Sequence, residues 1–499
     1  MPEPVRFDVV VIGSGEGGKY LAWHLAQSGQ RTAVVERQWI GGSCPNINCL
    51  PSKNEVWSAK LADCVHHAAQ IGISTGQAVV DMERVRQRKR DMVDGLVAMH
   101  LDRYKTSGAE LIMGSGRFTA PKTIDVRLRD GGTRALVGDR IFLNLGTHAS
   151  IPPVPGLADA APLTHIEALE LGYLPDHLIV VGGGYVGLEF AQAYRRFGSR
   201  VTVIEHGPQL ARREDADVAE EIQQILQDDG IEVLLQTEVL RVEGRSGANV
   251  RLLVRDLQGE RTIDGSDILV AAGRTPNTAG IGLEAAGVAL DARRYIQVND
   301  RLETSAPDVW AIGECAGSPQ FTHISLDDFR IIRDSLAGGS RSTRGRLVPF
   351  CMFTDPPLAR VGLNEREAQR GGVAVRVAQL PIGEVLRTRT MLPTRGFMKA
   401  LVDAHAGHIL GFTMIGPEAG EVMAVVQTAM LAGLPYTALR DAILTHPTMA
   451  EGLNALFGNV PAEAVTVRAS PAFDLDEGLD PYDRTVAQSF PASDPPAHV

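Results

Sequence analysis

Two segments of the chain carry the same succession of apolar, small and mixed positions. Residues 7–36 read FDVVVIGSGEGGKYLAWHLAQSGQRTAVVE: an apolar run, glycines at Gly13, Gly15 and Gly18, a mixed stretch, and a second apolar run ending at Glu36. Residues 177–205, HLIVVGGGYVGLEFAQAYRRFGSRVTVIE, repeat it with Gly182, Gly184 and Gly187. Gly198 and Glu205 stand there at the offsets that Gly29 and Glu36 keep from Gly13. Apolar runs bounded by glycine predict buried strands, and the glycines open a helix between them. In such a β-α-β unit the glycines make a tight turn and let backbone N–H groups approach a pyrophosphate, while the terminal acid binds a ribose hydroxyl pair. Two units predict two dinucleotides. A flavin with a nicotinamide is the economical pair, because it connects a hydride donor to a dithiol.

Between the units, residues 54–140 alternate helical stretches with short strands and include a charged helix over 82–104. Within this stretch His66 and His67 read as surface or core histidines, and Cys64 as a packed small residue. An apolar run over 141–145, then Gly146 and the sequence around IPPVPG, leads out of the first domain. The second domain closes with DILVAAGRTPN at 267–277. A strand over 309–312 runs into Gly313 and Glu314, a strand-end pair able to approach a cofactor, so the chain is expected to return to the first domain. Residues 347–458 change texture, with strands at 397–402 and 409–415 and then helices from Glu418, which reads as a separate α+β domain. The apolar stretch 422–434 contains Gln427 and Thr428 and reads as a core helix. Beyond Val460 the chain is rich in Pro, Asp and Ala without periodicity, and a mobile tail is expected.

Composition narrows the class of function. At 499 residues the chain exceeds a single core, and ordinary domain sizes give about three units. A net charge of -11 argues against nucleic acid or an anionic membrane as the main partner. No basic segment precedes the first strand, and no window approaches ~20 apolar residues, so neither a signal peptide nor a membrane span is expected. A reducing cytoplasm is the expected location. There a persistent disulfide is catalytic rather than a staple.

Two of the five cysteines, Cys44 and Cys49, fall in GGSCPNINCLPSK at 41–53. Their spacing is wrong for a CxxC motif, and on an ideal helix an i, i+5 pair would point about 140° apart with ~7.5 Å of rise. If the sulfurs bond, the segment must enter its helix through a distorted turn, which Pro45 and Pro51 suit because neither has an N–H. The spacing alone leaves open a redox pair or two buried free thiols. A structural zinc site would need two more ligands that no nearby Cys or His pattern supplies.

Taken together, GGSCPNINCLPSK, both glycine fingerprints, AAGRTPN, AIGECAG and THPTMAE resemble the flavin-containing pyridine-nucleotide disulfide oxidoreductases, the family of dihydrolipoamide dehydrogenase, glutathione reductase and mercuric reductase. The resemblance covers roughly residues 7–458. It implies an α/β fold of two Rossmann-like domains, for FAD and NAD(P), with a C-terminal α+β dimerisation domain. The expected division is 1–150 for FAD, 151–275 for NAD(P), 276–346 returning to the FAD-binding and central part, 347–460 for dimerisation and 461–499 as tail. It also implies FAD on Gly13, Gly15, Gly18 and Glu36, with Gly146, Gly313 and Glu314 on its ribityl-phosphate side. NAD(P)H is implied on Gly182, Gly184, Gly187 and Glu205, with Gly273 and Arg274 close by and Tyr185 covering the nicotinamide pocket until the nucleotide displaces it. Lys53 would lie near the flavin and pair with Glu189. Under the same resemblance, Cys49 is the charge-transfer thiol nearest the flavin and Cys44 the interchange thiol that meets substrate. His446, oriented by Glu451, is implied to reach the partner subunit's disulfide in a homodimer and to serve as its base. By itself His446 reads as a surface histidine, and the HPT context changes that. Glu205 would bind a ribose 2′-OH and repel a 2′-phosphate, which favours NADH. Arg212 and Arg213 keep NADPH as the alternative.

Several positions depart from the lipoamide dehydrogenase pattern. Asn144 and Leu145 replace an Ala-Thr pair, Glu314 replaces Asp, and QFTHISLDDFRII at 320–332 is closer to the branch of mercuric and copper(II)-reducing flavoproteins. Against mercuric reduction stand the absence of a C-terminal cysteine pair, the absence of an N-terminal metal-binding CxxC domain, and the presence of His446. The leading expectation is a dithiol/disulfide oxidoreductase linked to NADH, acting on a small disulfide or dithiol with no resident metal. A metal-ion or oxidant-responsive reductase on the same scaffold is the alternative, and a non-catalytic redox-sensing flavoprotein is a third reading.

Overall fold

The computed structural model describes residues 3–76, 79–391 and 394–463. Most of the C-terminal tail read from the sequence lies outside them. The first apolar run forms the strand Val5–Ile12, buried over Val9–Ile12 because sheet neighbours and helices cover both its faces. It pairs in parallel with Thr32–Glu36 on one side and Thr133–Leu143 on the other. Glu110–Ala120 extends the sheet beyond Thr32–Glu36, and Thr123–Leu128 joins it to Thr133–Leu143 as an antiparallel meander. Val309–Ala311 docks in parallel on Thr133–Leu143. This pairing brings the loop that starts at Gly313 to the same sheet end as Gly13. The predicted helix over 82–104 is present as Met82–Ser107, capped by the Asp81 side chain on the Arg84 N–H.

A second parallel sheet has the order Asp267–Val270, His177–Val181, Arg200–Ile204, Glu232–Leu234. An antiparallel triplet, Glu238–Arg245, Asn249–Asp256 and Gly259–Gly265, packs beside it. Thr147–Ala149 and Arg274–Pro276 form a two-stranded bridge where the chain leaves and re-enters the first unit. The C-terminal region is a five-stranded antiparallel sheet in the order Phe350–Met352, Leu358–Gly362, Ile409–Ile415, Phe397–Asp403, Val375–Pro381. Helices Ala419–Leu431 and Gly452–Gly458 cover it.

One expectation needs correction and another is refined. Cys64 is exposed, not packed, because it lies on the outward face of Cys49–His67 with Trp57, Leu61 and Val65, which are also exposed. The apolar stretch 422–434 is a core helix on one face only. Val422, Met423, Val426 and Ala429 are buried, whereas Leu431 and Leu434 are exposed, as are Leu386 and Ile443 elsewhere in this region. No helix among the described residues is long and apolar enough to cross a membrane.

Asp215, Asp217 and Glu365 bring their carboxylates close enough together to hold a cation. The cation in their midst is the ammonium of Lys399, at 2.8 Å from Asp215, 2.8 Å from Asp217 and 2.7 Å from Glu365. These carboxylates hold Lys399 well above the ordinary lysine range, against the effect of its burial. The cluster joins the nucleotide-side loop to the C-terminal sheet. Lys399→Met removes the charge and leaves three carboxylates facing one another, so it is expected to cost about 3 kcal/mol in denaturant-induced unfolding, with little change in the spectrum of a bound flavin.

Candidate active site

The stretch 41–53 does not run as one helix. Ser43–Asn46 makes a single turn, the backbone leaves helical geometry at Ile47 and Asn48, and Cys49–His67 begins anew. That break is the distorted entry the cysteine spacing requires. Pro45 sits within the short turn and Pro51 in the first turn of the long helix, where a missing N–H costs no helical bond. Gly42 has φ +83°, and a Cβ there would lie 2.5 Å from the Gly15 Cα, so only glycine lets the cysteine loop press against the first fingerprint.

Cys44 and Cys49 are free thiols within hydrogen-bonding contact. The contact with Cys49, and then burial, pushes the Cys44 thiol far above the ordinary range. Cys49 is lowered to about 6, first by the contact with Cys44, then by the Thr322 hydroxyl and the Lys53 charge, against burial and the Glu314 carboxylate. The Thr322 hydroxyl and the Lys53 charge thus favour Cys49 over Cys44 as the thiolate. The Thr322 Oγ1 lies 3.1 Å from its sulfur. Lys53 pairs with Glu189 at 2.5 Å and sits over the Phe353 ring at 4.8 Å. The other Glu189 oxygen accepts the Phe353 N–H at 2.8 Å, which fixes the carboxylate for Lys53.

Around the first fingerprint, Glu36 is buried and accepts the Ser14 N–H and hydroxyl on one oxygen and the Gln38 and Trp39 N–H groups on the other. Gly13, at φ +96°, would drive a Cβ to 2.2 Å from the Asn144 carbonyl oxygen. The Asn144 side chain accepts the Gly18 N–H at 3.1 Å and donates to the Ile312 carbonyl at 3.0 Å. Thus the departure at Asn144 ties the fingerprint helix to the strand before Gly313. The helix Glu16–Gln27 starts at Gly15 with no side-chain cap, leaving a positive end of the kind that receives phosphate. Glu16 would oppose an anion there, but Lys19 neutralises it at 2.7 Å. These features fit the pyrophosphate of a dinucleotide such as FAD.

The second fingerprint has the same construction. Gly184 begins Tyr185–Phe197 without a side-chain cap, and Gly187 would place a Cβ 2.2 Å from the Gly182 carbonyl. Glu205 accepts the N–H groups of Gly183 and Gly207, each at 2.7 Å. Tyr185 donates to Glu214 at 2.5 Å, and its ring packs on Phe350 at 5.7 Å. Glu214 is fully buried beside the Arg360 guanidinium at 3.2 Å. Across the two-stranded bridge, Glu314 contacts the Thr147 hydroxyl and pairs with Arg274 at 3.3 Å. Its extra methylene thus reaches Thr147 and Arg274. Gly146 accepts the Asn277 N–H through its carbonyl, and Gly273 that of Ser150.

One predicted group stands apart. His446 Nδ1 binds Glu451 at 2.8 and 2.9 Å, across a cis His446–Pro447 bond, and its side chain is 61% exposed. No hydrogen bond among the described residues joins it to either cysteine. The sequence did not indicate Thr322, Ser14, Glu214 or Phe350. Only the unusual run at 320–332 marked the neighbourhood of the first, and pairings over 22 to 273 positions leave no local pattern.

The profile described as pyridine nucleotide-disulphide oxidoreductase matches residues 7–328, and its dimerisation-domain profile matches 348–456. A probable pyridine nucleotide-disulfide oxidoreductase, RclA of Escherichia coli strain K12, is 38% identical over 461 residues, spanning 91% of this chain and 99% of its own. The dihydrolipoyl dehydrogenase of Thermus scotoductus is 33% identical, spanning 90% of this chain and 96% of its own. Among solved structures, the Cu(II) complex of the HOCl-induced flavoprotein disulfide reductase RclA from Escherichia coli superposes with a TM-score of 0.83 at 36% identity, covering 91% of this chain and 99% of that one. With a thiol pair beside two dinucleotide fingerprints and a dimerisation region behind them, the chain belongs to the pyridine nucleotide-disulphide oxidoreductases, enzymes that work with FAD and NAD(P)H.

Proposed function

We propose that this enzyme is a homodimer that carries electron pairs from NADH, through FAD, to the Cys49 and Cys44 pair and on to a small disulfide, with dihydrolipoamide-type dithiol chemistry. The observation that carries the reading is the placement of the thiol pair: its loop is pressed at Gly42 against Gly15 of the first fingerprint, with the Thr322 hydroxyl 3.1 Å from the Cys49 sulfur and the Lys53 charge acting on it. When bound, FAD would supply the two-electron exchange between nicotinamide and sulfur. Gly13, Gly15, Gly18 and Glu36 would hold it, with Gly146, Gly313 and Glu314 along its other side. Lys53, fixed by Glu189, places positive charge near the thiolate. Gly182, Gly184, Gly187 and Glu205 would hold the nucleotide, with Tyr185, Gly273 and Arg274 beside it. Cys44 is the thiol that meets substrate, and His446 of the partner subunit, oriented by Glu451, moves its proton. The exposed apolar side chains Leu386, Leu431, Leu434 and Ile443 give the C-terminal region a surface for that dimer. A reducing cytoplasm suits a pair that cycles between thiol and disulfide.

Metal-ion reduction by the same thiol pair is a second reading, favoured by the RclA structure with Cu(II) and by the run at 320–332. Steady-state turnover separates the two. NAD⁺ reduction by dihydrolipoamide supports the first reading, and NADH oxidation that proceeds only with Cu(II) or Hg(II) overturns it.

Nucleotide choice has a direct check. Glu205→Gln keeps an oxygen for the Gly183 or Gly207 N–H but removes the charge that repels a 2′-phosphate. The preference for NADH over NADPH in kcat/KM is expected to shrink by about tenfold. An unchanged ratio would assign discrimination to other residues.

A further inference from the structure

Thr322, Ser325 and Asp328 follow one another at steps of three along the helix Thr322–Leu336 and therefore share a face. Each binds a different part of the redox centre. Thr322 contacts the Cys49 sulfur at 3.1 Å. Ser325 accepts the Gly17 N–H at 3.1 Å, in the first turn of the fingerprint helix. Asp328, fully buried, accepts the Gly313 N–H and the Ser318 hydroxyl at 2.8 Å each, and its other oxygen pairs with Arg346 at 2.6 Å. The contact is tight, since a Cβ on Gly17 would meet the Ser325 carbonyl at 2.4 Å, and one on Gly313 its hydroxyl at 2.9 Å. This is the run QFTHISLDDFRII, to which the activity described above assigns no role.

We propose that this helix face aligns the redox centre, with Thr322 as a further catalytic residue whose hydroxyl donates to the Cys49 sulfur and holds it as thiolate. The inference rests on the reading of Cys49 as the flavin-side thiol. Ser325 and Asp328 are positioning residues that seat the helix against the turns at Gly17 and Gly313, so the Thr322 hydroxyl arrives at the sulfur already placed. The other groups acting on Cys49 are the Cys44 thiol, the Lys53 ammonium and the Glu314 carboxylate, while Thr322 and Glu16 also act on Cys44. Because Lys53 is itself paired with Glu189 and Glu314 opposes the thiolate, neutral donors carry much of the balance. Once Cys44 is consumed in a bond to substrate, its S–H is gone. Thr322 is then the hydroxyl donor left in contact with Cys49.

The test uses Cys44→Ser holoenzyme, in which Cys49 is the sole thiol of the pair. The long-wavelength thiolate-to-flavin absorption is titrated with pH, in parallel with the rate of Cys49 alkylation by iodoacetamide read by mass spectrometry. Adding Thr322→Val, or Thr322→Ala as a second variant, is expected to move both titrations up by about one pH unit, a tenfold weaker acid, and Thr322→Ser to restore them. Ser325→Ala is expected to give a smaller upward shift that vanishes in the Thr322→Val background, whereas a purely structural role would give the same shift in both. Titrations of the valine variant that coincide with the parent overturn the inference. If the parent has no long-wavelength absorption, the flavin-side reading of Cys49 fails, while the alkylation profile still reports whether Thr322 lowers the thiol.

Discussion

Cys44→Ser is expected to lower NADH-driven disulfide turnover by on the order of 10³-fold or more while leaving reduction of the flavin by NADH close to the wild-type rate. The separation follows from the placement of the two sulfurs. Cys44 precedes the helical break and supplies the S–H, whereas Cys49 begins the long helix with Thr322 and Lys53 acting on it. Serine at 44 preserves a donor to Cys49 but cannot form the mixed disulfide. Electrons therefore reach the flavin and stop there. Before NADH is added, with the flavin oxidised, the variant should show a long-wavelength band from the Cys49 thiolate, which NADH then bleaches. Because Cys49 is lowered to about 6, the thiolate is present above that pH and is lost as the solution is acidified through it. The band should grow as pH rises through about 6 and level off by neutrality. The matching Cys49→Ser variant should lack the band. Stopped-flow reduction by NADH, steady-state disulfide turnover and a pH titration of absorbance check these outcomes. A Cys44→Ser enzyme that still turns over a disulfide would remove the thiol pair from the mechanism.

The parts of this centre legible in the sequence are those in which the chemistry is local. Gly13, Gly15 and Gly18 announce themselves because the backbone must turn and open a helix within six residues, and the structure shows a Cβ at Gly13 colliding with Asn144. The awkward interval between Cys44 and Cys49 likewise demands a break, which falls at Ile47 and Asn48. Thr322 escapes such reading because it meets Cys49 across 273 positions. A threonine at the start of a helix is ordinary in its own surroundings. Glu214 is hidden because in sequence it is one acid among neighbours, and its charge partner Arg360 comes from the C-terminal sheet. The exposed position of Cys64 was missed because helical periodicity distinguishes faces but cannot say which apolar stripe lacks a cover within the chain.

A dimer assembled from one Cys44→Ser subunit and one His446→Ala subunit should regain about half the disulfide turnover of the wild-type dimer, although each parent homodimer is nearly inactive. Loss of a general acid-base group costs about 10²- to 10⁴-fold, so the His446→Ala parent gives a low background. Within one chain, His446 stands on the surface, held by Glu451 through Nδ1. If it serves the partner's thiols, the mixed dimer contains one site with both lesions. The other site joins the intact cysteines of the His446→Ala subunit to the intact histidine of its partner, and that site works. If instead His446 serves its own chain, each site keeps one lesion and the mixture stays inactive. Glu451→Gln should fall between the extremes, because an amide oxygen can still accept from Nδ1 but holds the ring through one oxygen where the carboxylate offers two. Co-expression with two different affinity tags, sequential purification and a turnover assay read the result. An inactive mixed dimer with normal flavin content would place the base for Cys44 elsewhere.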